Sequence, residues 1–517
     1  MTDVVDSPAQ PNPTSRKTSF HERPALSWPA VAAVAVPAAV VLLLSATRYG
    51  YFGDELYFLA AGRRPSFGYA DQGPVLPMVA RFMDILAPES FFVLRLPSVA
   101  LTVTAIILCA MLAREFGGGR WAQALAATGY ATSPFLLLQG AMLTTNAVDT
   151  ALWVIITWLV VRWVRTREDR LLLAAALVTA IDMQVKWLIP FFWLAVAASS
   201  LVFGPRDLVR RPLLWLGGVI VVLVTVPELL WQSRHDWPQL EMGRVIGAEQ
   251  GILGGRLQFV PMSVSLAGFL GALLLLYGLW VLLAWESLRP YRFLGVTLIL
   301  LFLAFLITGG RIYYAAGMYA VLIAAGAVGV VTTTERMGSG GRRFLIALVT
   351  ILAVCAAAFV LYSTPWRSAD SVRPPVDDAE AAVNIGVYGS FGWRELTEEV
   401  DRAFDGLSRQ EQSNAVIITD TYWQAAALDE FGRKQLPDIY SPSRGFGYFG
   451  APPDDATAVL AVGSYEAVLR GQFDHVEPVG KVNTRIGFPG NTQNVTIWKC
   501  TGIKKSWSQL WPKWMHL

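Results

Sequence analysis

The chain has few charged residues and few cysteines for its length. Asp, Glu, Lys and Arg make up 16% of the 517 residues, whereas 54% are hydrophobic, and the mean hydropathy is +0.44. Soluble globular proteins carry about 25% charged residues, so the composition excludes an ordinary soluble enzyme. The net charge of only +3 gives no indication of nucleic-acid binding.

The three cysteines predict no shared structural role. Cys109 and Cys355 fall in separate apolar runs, and Cys500 lies near the C-terminus. Neither a disulfide framework nor a cysteine metal site follows from this pattern. The first apolar run is too long for the core of a signal peptide, so we interpret it as a retained helix.

Long apolar runs dominate the N-terminal two thirds of the chain. A helix needs about 20 apolar residues to cross a bilayer, and on that rule roughly eleven runs are candidates. They are 28–47, 91–113, 121–139, 147–164, 171–183, 187–203, 212–231, 260–285, 293–308, 314–333 and 344–363. The sequence therefore predicts an α-helical polytopic membrane protein with about 11 transmembrane helices.

Arginine marks every second short loop between these runs. Cytoplasmic loops are rich in Lys and Arg, whereas Gly140–Asn146 is uncharged and two other loops carry only Lys186 or Arg311. The arginine-rich loops contain Arg114, Arg120, Arg162, Arg165, Arg167, Arg170, Arg206, Arg210, Arg211, Arg289, Arg292, Arg336, Arg342 and Arg343. With eleven spans, this alternation predicts a cytoplasmic N-terminus and an extracytoplasmic C-terminal domain. Arginine also greatly exceeds lysine, which is typical of a GC-rich bacterial genome and favours the bacterial cell membrane as the location.

Composition divides the chain into three parts. Residues 1–27 are polar and predict a disordered cytoplasmic leader, and 28–364 form the membrane domain with a long first outer loop at 48–90. Prolines after 363 indicate a linker, and 365–517 predict a small extracytoplasmic α/β domain. Within it, 415–419, 458–462 and 494–498 read as strands and 395–404 and 422–431 as helices.

The first outer loop contains an acidic pair, Asp54-Glu55, beside the membrane. Carboxylates next to hydrocarbon usually face a water-filled cavity where they bind ions or do chemistry. The pattern predicts two helices, 54–62 and 74–86, amphipathic enough to lie along the membrane surface. Negative charge at a helix N-terminus is also favourable, so an ordinary N-terminal cap is the alternative for the pair.

Several short motifs resemble the polyprenyl-phosphate-sugar-dependent glycosyltransferases of the GT-C fold, near the bacterial protein O-mannosyltransferase-like members of glycosyltransferase family 39. The acidic pair, the stretch Tyr69–Pro74 and a second acidic site at Thr144–Asp149 match that family, and its tail domain resembles Asp420–Gly432. This chain departs from it at Gly73-Pro74, where relatives often have Pro-Pro preceded by a basic residue.

The resemblance implies transfer of a sugar from a polyprenyl phosphate to a hydroxyl of a cell-envelope glycan, glycolipid or protein, with inversion. A base must take the hydroxyl proton, and we assign that role to Asp54. Cations must stabilise the leaving phosphate, and Lys186 and Arg311 are the candidates. The remaining residues assigned to substrate binding are Glu55, Asp71, Gln72, Asp149, Tyr313 and Tyr314.

Structural roles are open for several of these residues. Asp149 could be a helix cap, Asp71 a turn residue, and the two tyrosines interfacial aromatics. Lys186 could form a helical i,i+4 pair with Asp182.

No metal or other cofactor is required by a monophosphate leaving group, although converging carboxylates leave a divalent metal open. A transporter or lipid flippase is the alternative function, disfavoured because the sequence has no paired half repeats.

Overall fold

The computed structural model describes residues 23–252, 255–365, 368–463 and 466–517. Most of the predicted leader, residues 1–22, lies outside this range. The helices of the N-terminal part are α1 Trp28–Ser45, α2 Gly53–Gly62, α3 Val75–Leu86, α4 Phe91–Glu115, α5 Arg120–Ala131, α6 Pro134–Gly140, α7 Thr145–Thr166, α8 Arg170–Met183, α9 Ile189–Phe203, α10 Pro212–Arg234, α11 Pro238–Ile252, α12 Gly255–Ser265, α13 Gly268–Ala284, α14 Arg292–Thr308, α15 Tyr319–Arg336 and α16 Ser339–Ser363.

Seven helices in the described part are long and apolar enough to cross a membrane. The pair α12 and α13, bent by 102° between them, would make eight if counted as one span. Each of the eleven predicted runs coincides with a helix or a broken pair of helices. The run at 121–139 is divided between α5 and α6, and α8 and α9 are shorter than the others, with 14 and 15 residues. The multi-span helical fold is confirmed, and the count of eleven stays a prediction.

The C-terminal part is a small α/β unit. Its helices are α17 Asp378–Val383, α18 Ile385–Tyr388, α19 Trp393–Asp405, α20 Arg409–Ser413, α21 Tyr422–Phe431, α22 Glu466–Gln472 and α23 Trp507–Trp514. Its strands are β1 Ala415–Thr419, β2 Ile439–Tyr440, β3 Ala458–Val462, β4 Phe473–Val482 and β5 Val495–Ile503.

The five strands form one sheet in the order β2-β1-β3-β5-β4. The first three are parallel, and β5 and β4 add to the edge as antiparallel strands. Every residue of β1 and of β3 is buried, as expected for the interior strands of a parallel sheet covered by helices on both faces. The three strands predicted in the sequence are all present.

One apolar core joins the first outer loop to the C-terminal unit. It includes Leu56 and Leu59 of α2, Val148 and Leu152 of α7, and Ala425 of α21. Burial of this shared apolar surface holds the two parts together because it is removed from water on both sides.

The two outer-loop helices differ from each other in their environment. Helix α3 is amphipathic and leaves Met78, Phe82 and Ile85 exposed, as predicted for a helix on a membrane surface. The same prediction was wrong for α2, where every residue except Asp54 is buried. Helix α2 is covered by α21, which lies about 360 residues later in the chain.

Candidate active site

Asp54 lies in the first turn of α2 and contacts the C-terminal unit. The Tyr422 hydroxyl and the Trp423 indole Nε1 each donate a hydrogen bond of 2.8 Å to Asp54 Oδ1. Among the described residues, Asp54 Oδ2 has no hydrogen-bond donor, and the residue is half-buried. One carboxylate oxygen is therefore held in place while the other stays available.

The sequence around Asp54 explains how Trp423 comes so close. A β-carbon at Gly53 would lie 2.2 Å from the Trp423 ring, so only glycine fits there. Phe52 packs edge-on against the same indole, with ring centroids 5.1 Å apart. Burial, and next the charge of Asp54, raise the pKa of Tyr422 well above its ordinary value, so the phenol stays protonated as a donor.

Glu55 is fully buried, and both its oxygens are occupied. Arg95 of α4 donates Nε to Oε1 at 2.9 Å and Nη2 to Oε2 at 2.8 Å. The backbone N–H groups of Phe52 and Leu143 also donate to it, each at 2.9 Å. This placement disagrees with the predicted substrate-binding role, because no oxygen of Glu55 is left for a ligand. The residue instead ties the outer loop to α4 and to the start of α7.

Asp71 is held next to the same tyrosine layer. The Tyr57 hydroxyl donates to Asp71 Oδ1 at 2.9 Å, and the Tyr57 ring packs edge-on against Tyr422 at 5.2 Å. Burial raises the pKa of Asp71 to about 6, opposed by the charge of Arg444 and by the Tyr57 hydrogen bond. Gln72 is buried, and neither atom of its amide has a partner among the described residues.

Arg444, which the sequence analysis missed, lies between the carboxylates. Its guanidinium lies 5.4 Å from the centre of the Tyr422 ring, and Nη2 lies 3.3 Å from Glu249 Oε1. Its backbone has the left-handed φ of 48°, uncommon outside glycine and a form of strain found at functional sites. The C-terminal tail fixes this conformation, since Arg444 N–H donates to the His516 carbonyl at 2.7 Å.

Arg311 is paired with Glu249 of α11, which also accepts from Arg444. Arg311 was predicted to be a cation that binds the leaving phosphate. In the structure its guanidinium is already paired with the Glu249 carboxylate. Glu249 is therefore shared by two arginines and neutralises one of their two charges.

Lys186, the second predicted phosphate-binding cation, lies between the start of α7 and two tyrosines that follow Arg311. Its ammonium donates to Asn146 Oδ1 at 3.0 Å and lies 5.1 Å and 4.6 Å from the ring centres of Tyr313 and Tyr314. These tyrosines therefore contact the candidate cation, and Tyr314 is buried.

Two carboxylates are electrostatic neighbours of Lys186. They are Asp149 and Asp182, both buried. The alternative i,i+4 ion pair between Asp182 and Lys186 is not formed in the described part of the chain, where both Asp182 oxygens lack a hydrogen-bond partner. Asp149 Oδ1 also lacks one, although Asp149 lies one turn inside α7 and the Thr144 side chain supplies the cap.

The site residues form one continuous row. Contacts lead from Asp54 through Tyr422 to Arg444, and from there through Glu249 to Arg311. The chain after Arg311 carries the tyrosines that meet Lys186. The structure thus brings Asp54, Asp71, Lys186, Arg311, Tyr313 and Tyr314 to one junction between the helices and the α/β unit, with Asp149 at its far end.

A cavity of about 670 Å³ adjoins the Arg311 end of this row. Glycines and apolar side chains of α11, α12 and α14 form most of its wall, and Arg244 and Arg256 supply positive charge. Such a lining suits a ligand with an apolar tail and an anionic head. Within the described residues, no group of three or more His, Cys, Asp or Glu side chains is placed to hold a metal ion.

The fold is shared with membrane glycosyltransferases of known structure. ArnT from Cupriavidus metallidurans in the apo state superimposes with a TM-score of 0.58 at 14% identity, over 90% of this chain and 97% of that one. Its complex with undecaprenyl phosphate gives 0.54 over the same shares, also at 14% identity. The arabinofuranosyltransferase AftD from Mycobacteria superimposes with a TM-score of 0.48 at 11% identity, over 93% of this chain and 40% of that one.

These likenesses define the class of protein: the chain has the GT-C fold of the membrane glycosyltransferases. Within that class, residues 71–231 match the family model of the dolichyl-phosphate-mannose-protein mannosyltransferases. No curated protein matches the chain in sequence. The predicted resemblance, the helical membrane fold with its small α/β domain, and the glycosyltransferase class are confirmed.

Sequence reasoning missed five residues of the row or its contacts: Tyr57, Glu249, Tyr422, Trp423 and Arg444. A signal existed for Tyr422 and Trp423, which lie inside the tail motif Asp420–Gly432. Arg444 follows a Ser-Pro-Ser stretch that resembles any loop, and nothing in the sequence distinguishes it from the other arginines of the chain.

Proposed function

We propose that the chain transfers a sugar from a polyprenyl-phosphate donor to a hydroxyl of a cell-envelope glycan, glycolipid or protein, with inversion and with Asp54 as base. The row from the oriented Asp54 carboxylate to Arg444, Arg311 and Lys186 is the observation that carries this proposal. A base and a set of cations at one junction match the two demands of the reaction.

Asp54 Oδ2 accepts the proton of the acceptor hydroxyl as that oxygen attacks the anomeric carbon. The new carbon–oxygen bond forms while the bond from that carbon to the phosphate oxygen breaks, and the electron pair leaves with the lipid phosphate. Tyr422 and Trp423 hold Oδ1, so the carboxylate need not reorient during the reaction. Displacement from the face opposite the phosphate inverts the anomeric configuration.

The phosphate gains negative charge as it leaves, and fixed cations stabilise it most in a site sheltered from water. Arg311 and Arg444 can bind it in a bidentate manner, whereas Lys186 offers a point charge. The adjoining 670 Å³ cavity supplies an apolar surface for the first part of the polyprenyl chain. The complex of the similarly folded ArnT with undecaprenyl phosphate supports this choice of donor.

The location and orientation of the chain follow the arginine pattern of its loops. The proposed setting is the bacterial cell membrane, with the N-terminus in the cytoplasm and the C-terminal domain outside. The row of site residues then faces the extracytoplasmic side, where lipid-linked sugars and envelope acceptors meet.

Asp54→Asn in the purified full-length protein tests the proposal. We expect the rate of sugar transfer from a radiolabelled polyprenyl-phosphate sugar to fall by about 100-fold or more, as is typical on loss of a general base. Asp378→Asn, which removes an exposed carboxylate of the C-terminal domain, is the matched control. Wild-type rates in Asp54→Asn with the fold intact would reject Asp54 as base, and a product with retained anomeric configuration by NMR would reject inversion.

A further inference from the structure

A second cavity, of about 370 Å³, lies beside the Tyr57–Asp71 pair. It is enclosed by the outer-loop residues after α2, by the end of α10 and by the chain that follows Arg444. The residues that matter for its chemistry are Arg64, Tyr69, Trp231, Tyr448 and Phe449.

Gly445 lies between this cavity and the Tyr57–Asp71 pair. A β-carbon at Gly445 would lie 1.7 Å from the Tyr57 hydroxyl and 3.1 Å from Asp71 Oδ1, so the cavity wall is in direct contact with both groups. The preceding residue, Arg444, reaches Glu249 in the cation row. Arg444 and Gly445 therefore lie between the cavity and the cation row that is proposed to stabilise the leaving phosphate.

The wall of the cavity combines aromatic rings with polar groups. Trp231 is held by His235, which stacks on it with ring centroids 4.0 Å apart, and Tyr448 packs at 5.8 Å from Trp231. Arg64 lies 5.3 Å from the Phe449 ring centre and is fixed by Asp429. Rigid rings supply apolar area, and the Tyr448 hydroxyl supplies a hydrogen-bonding group, whereas Arg64 contributes positive charge.

We infer that this cavity binds the acceptor, and that the acceptor is the end of a saccharide. The inference rests on the proposed function and narrows its acceptor from three classes to the carbohydrate-bearing ones, a glycan or a glycolipid headgroup. A sugar ring has an apolar C–H face and a hydroxyl edge, which match the two kinds of surface. The cavity volume of about 370 Å³ is near the lower end of the range of about 300–1,000 Å³ for small-ligand sites.

A polypeptide acceptor fits this cavity poorly. One recurring mode of binding an extended peptide uses main-chain hydrogen bonds to an exposed sheet edge. No described strand borders the cavity, because its wall consists of loop residues, the end of α10 and the 3-10 helix Arg444–Phe449.

The test compares acceptor kinetics in Trp231→Ala and Tyr448→Ala with those of the wild-type protein. The control is Trp121→Ala, which removes an indole that is 65% exposed on α5. The acceptors are methyl and octyl glycosides of mannose, glucose and arabinose, and a Ser/Thr-rich peptide. We expect both cavity variants to raise the KM for a glycoside by about tenfold, equivalent to the loss of one good aromatic contact. An unchanged KM in both variants, or equal use of the peptide, would overturn the inference.

A binding measurement separates this inference from the proposed function. Binding of the same glycosides is followed by isothermal titration calorimetry in Asp54→Asn, with and without Trp231→Ala. If the wild-type protein consumes no donor, the proposed function fails, whereas glycoside binding that depends on Trp231 still supports the cavity. If no glycoside binds, or if binding is the same without Trp231, the cavity inference fails even when transfer is observed.

Discussion

Tyr422 donates a hydrogen bond of 2.8 Å to Asp54, across a separation of 368 residues. The proposed base lies in the first outer loop, and the group that orients it lies in the C-terminal domain. The orientation of Asp54 therefore depends on correct docking of that domain.

Tyr422→Phe should lower the rate of transfer by about tenfold, because a hydrogen bond to a charged group contributes about 1.5–3 kcal/mol. The rate at saturating donor and acceptor is the measurement, with thermal unfolding as the check on folding. Tyr362→Phe, at an exposed tyrosine of α16, serves as control. An unchanged rate would mean that Trp423 alone fixes the carboxylate, which Trp423→Phe would then reveal.

Glu249→Gln should lower the KM for the lipid-phosphate donor several-fold. Glu249 neutralises Arg311 and Arg444 and competes with a phosphate for them, so its removal leaves both cations free. Glu286→Gln is the control, since Glu286 pairs with the exposed Arg289, outside the cavity and the row. A higher KM in Glu249→Gln would contradict this account and indicate that the carboxylate positions the arginines.

Arg95→Met should destabilise the protein by about 3–5 kcal/mol, because it leaves the buried Glu55 charge without its partner. The double variant with Glu55→Gln should recover much of this loss. Thermal unfolding in detergent measures both effects. Arg81→Met breaks an exposed pair with Asp84 and should cost less than about 1 kcal/mol. Equal losses in the single and double variants would show that the Arg95 contacts with backbone carbonyls matter more than the charge.

The rate of transfer should rise with pH through about 6, as the buried Asp71 ionises. Below that pH the neutral carboxyl no longer balances Arg444, and Asp71→Asn should remove this part of the pH profile. Because folding raises the Asp71 pKa from 3.8, its contribution to the free energy of unfolding falls as pH rises from about 4 to 6. A pH profile that keeps the same limb in Asp71→Asn would assign it to another group.

Hydropathy and periodicity within short sequence windows predicted most of the helices and three of the strands. The apolar runs, the helix 422–431 and the three predicted strands are present, since each follows from hydropathy or periodicity within a short window, whereas β2 and β4 were not predicted. The burial of α2 could not be predicted in this way. Its surroundings come from α21, and no feature of the segment 53–62 reveals a partner so distant in the chain.

The residues of the candidate site likewise fall into two groups, those visible in the local sequence and those whose role depends on the fold. Asp54, Asp71, Asp149 and Lys186 stand out because charge is rare in this sequence. Glu55 is adjacent to Asp54 and equally acidic, yet it forms a buried ion pair with Arg95. Only this three-dimensional contact distinguishes the two acids. Tyr422 and Arg444 act through their position in the fold, so their residue types alone gave no indication.

The glycine at position 53 has a consequence for biosynthesis. Since Trp423 must fit against it before Asp54 acquires its partners, the outer loop cannot reach its final form while the ribosome is still translating the helices. A nascent chain that stops short of residue 422 would carry helices α1 to α16 and yet lack both groups that hold the Asp54 carboxylate. The proposed catalytic centre would therefore form only after α21 has been synthesised and has packed on α2.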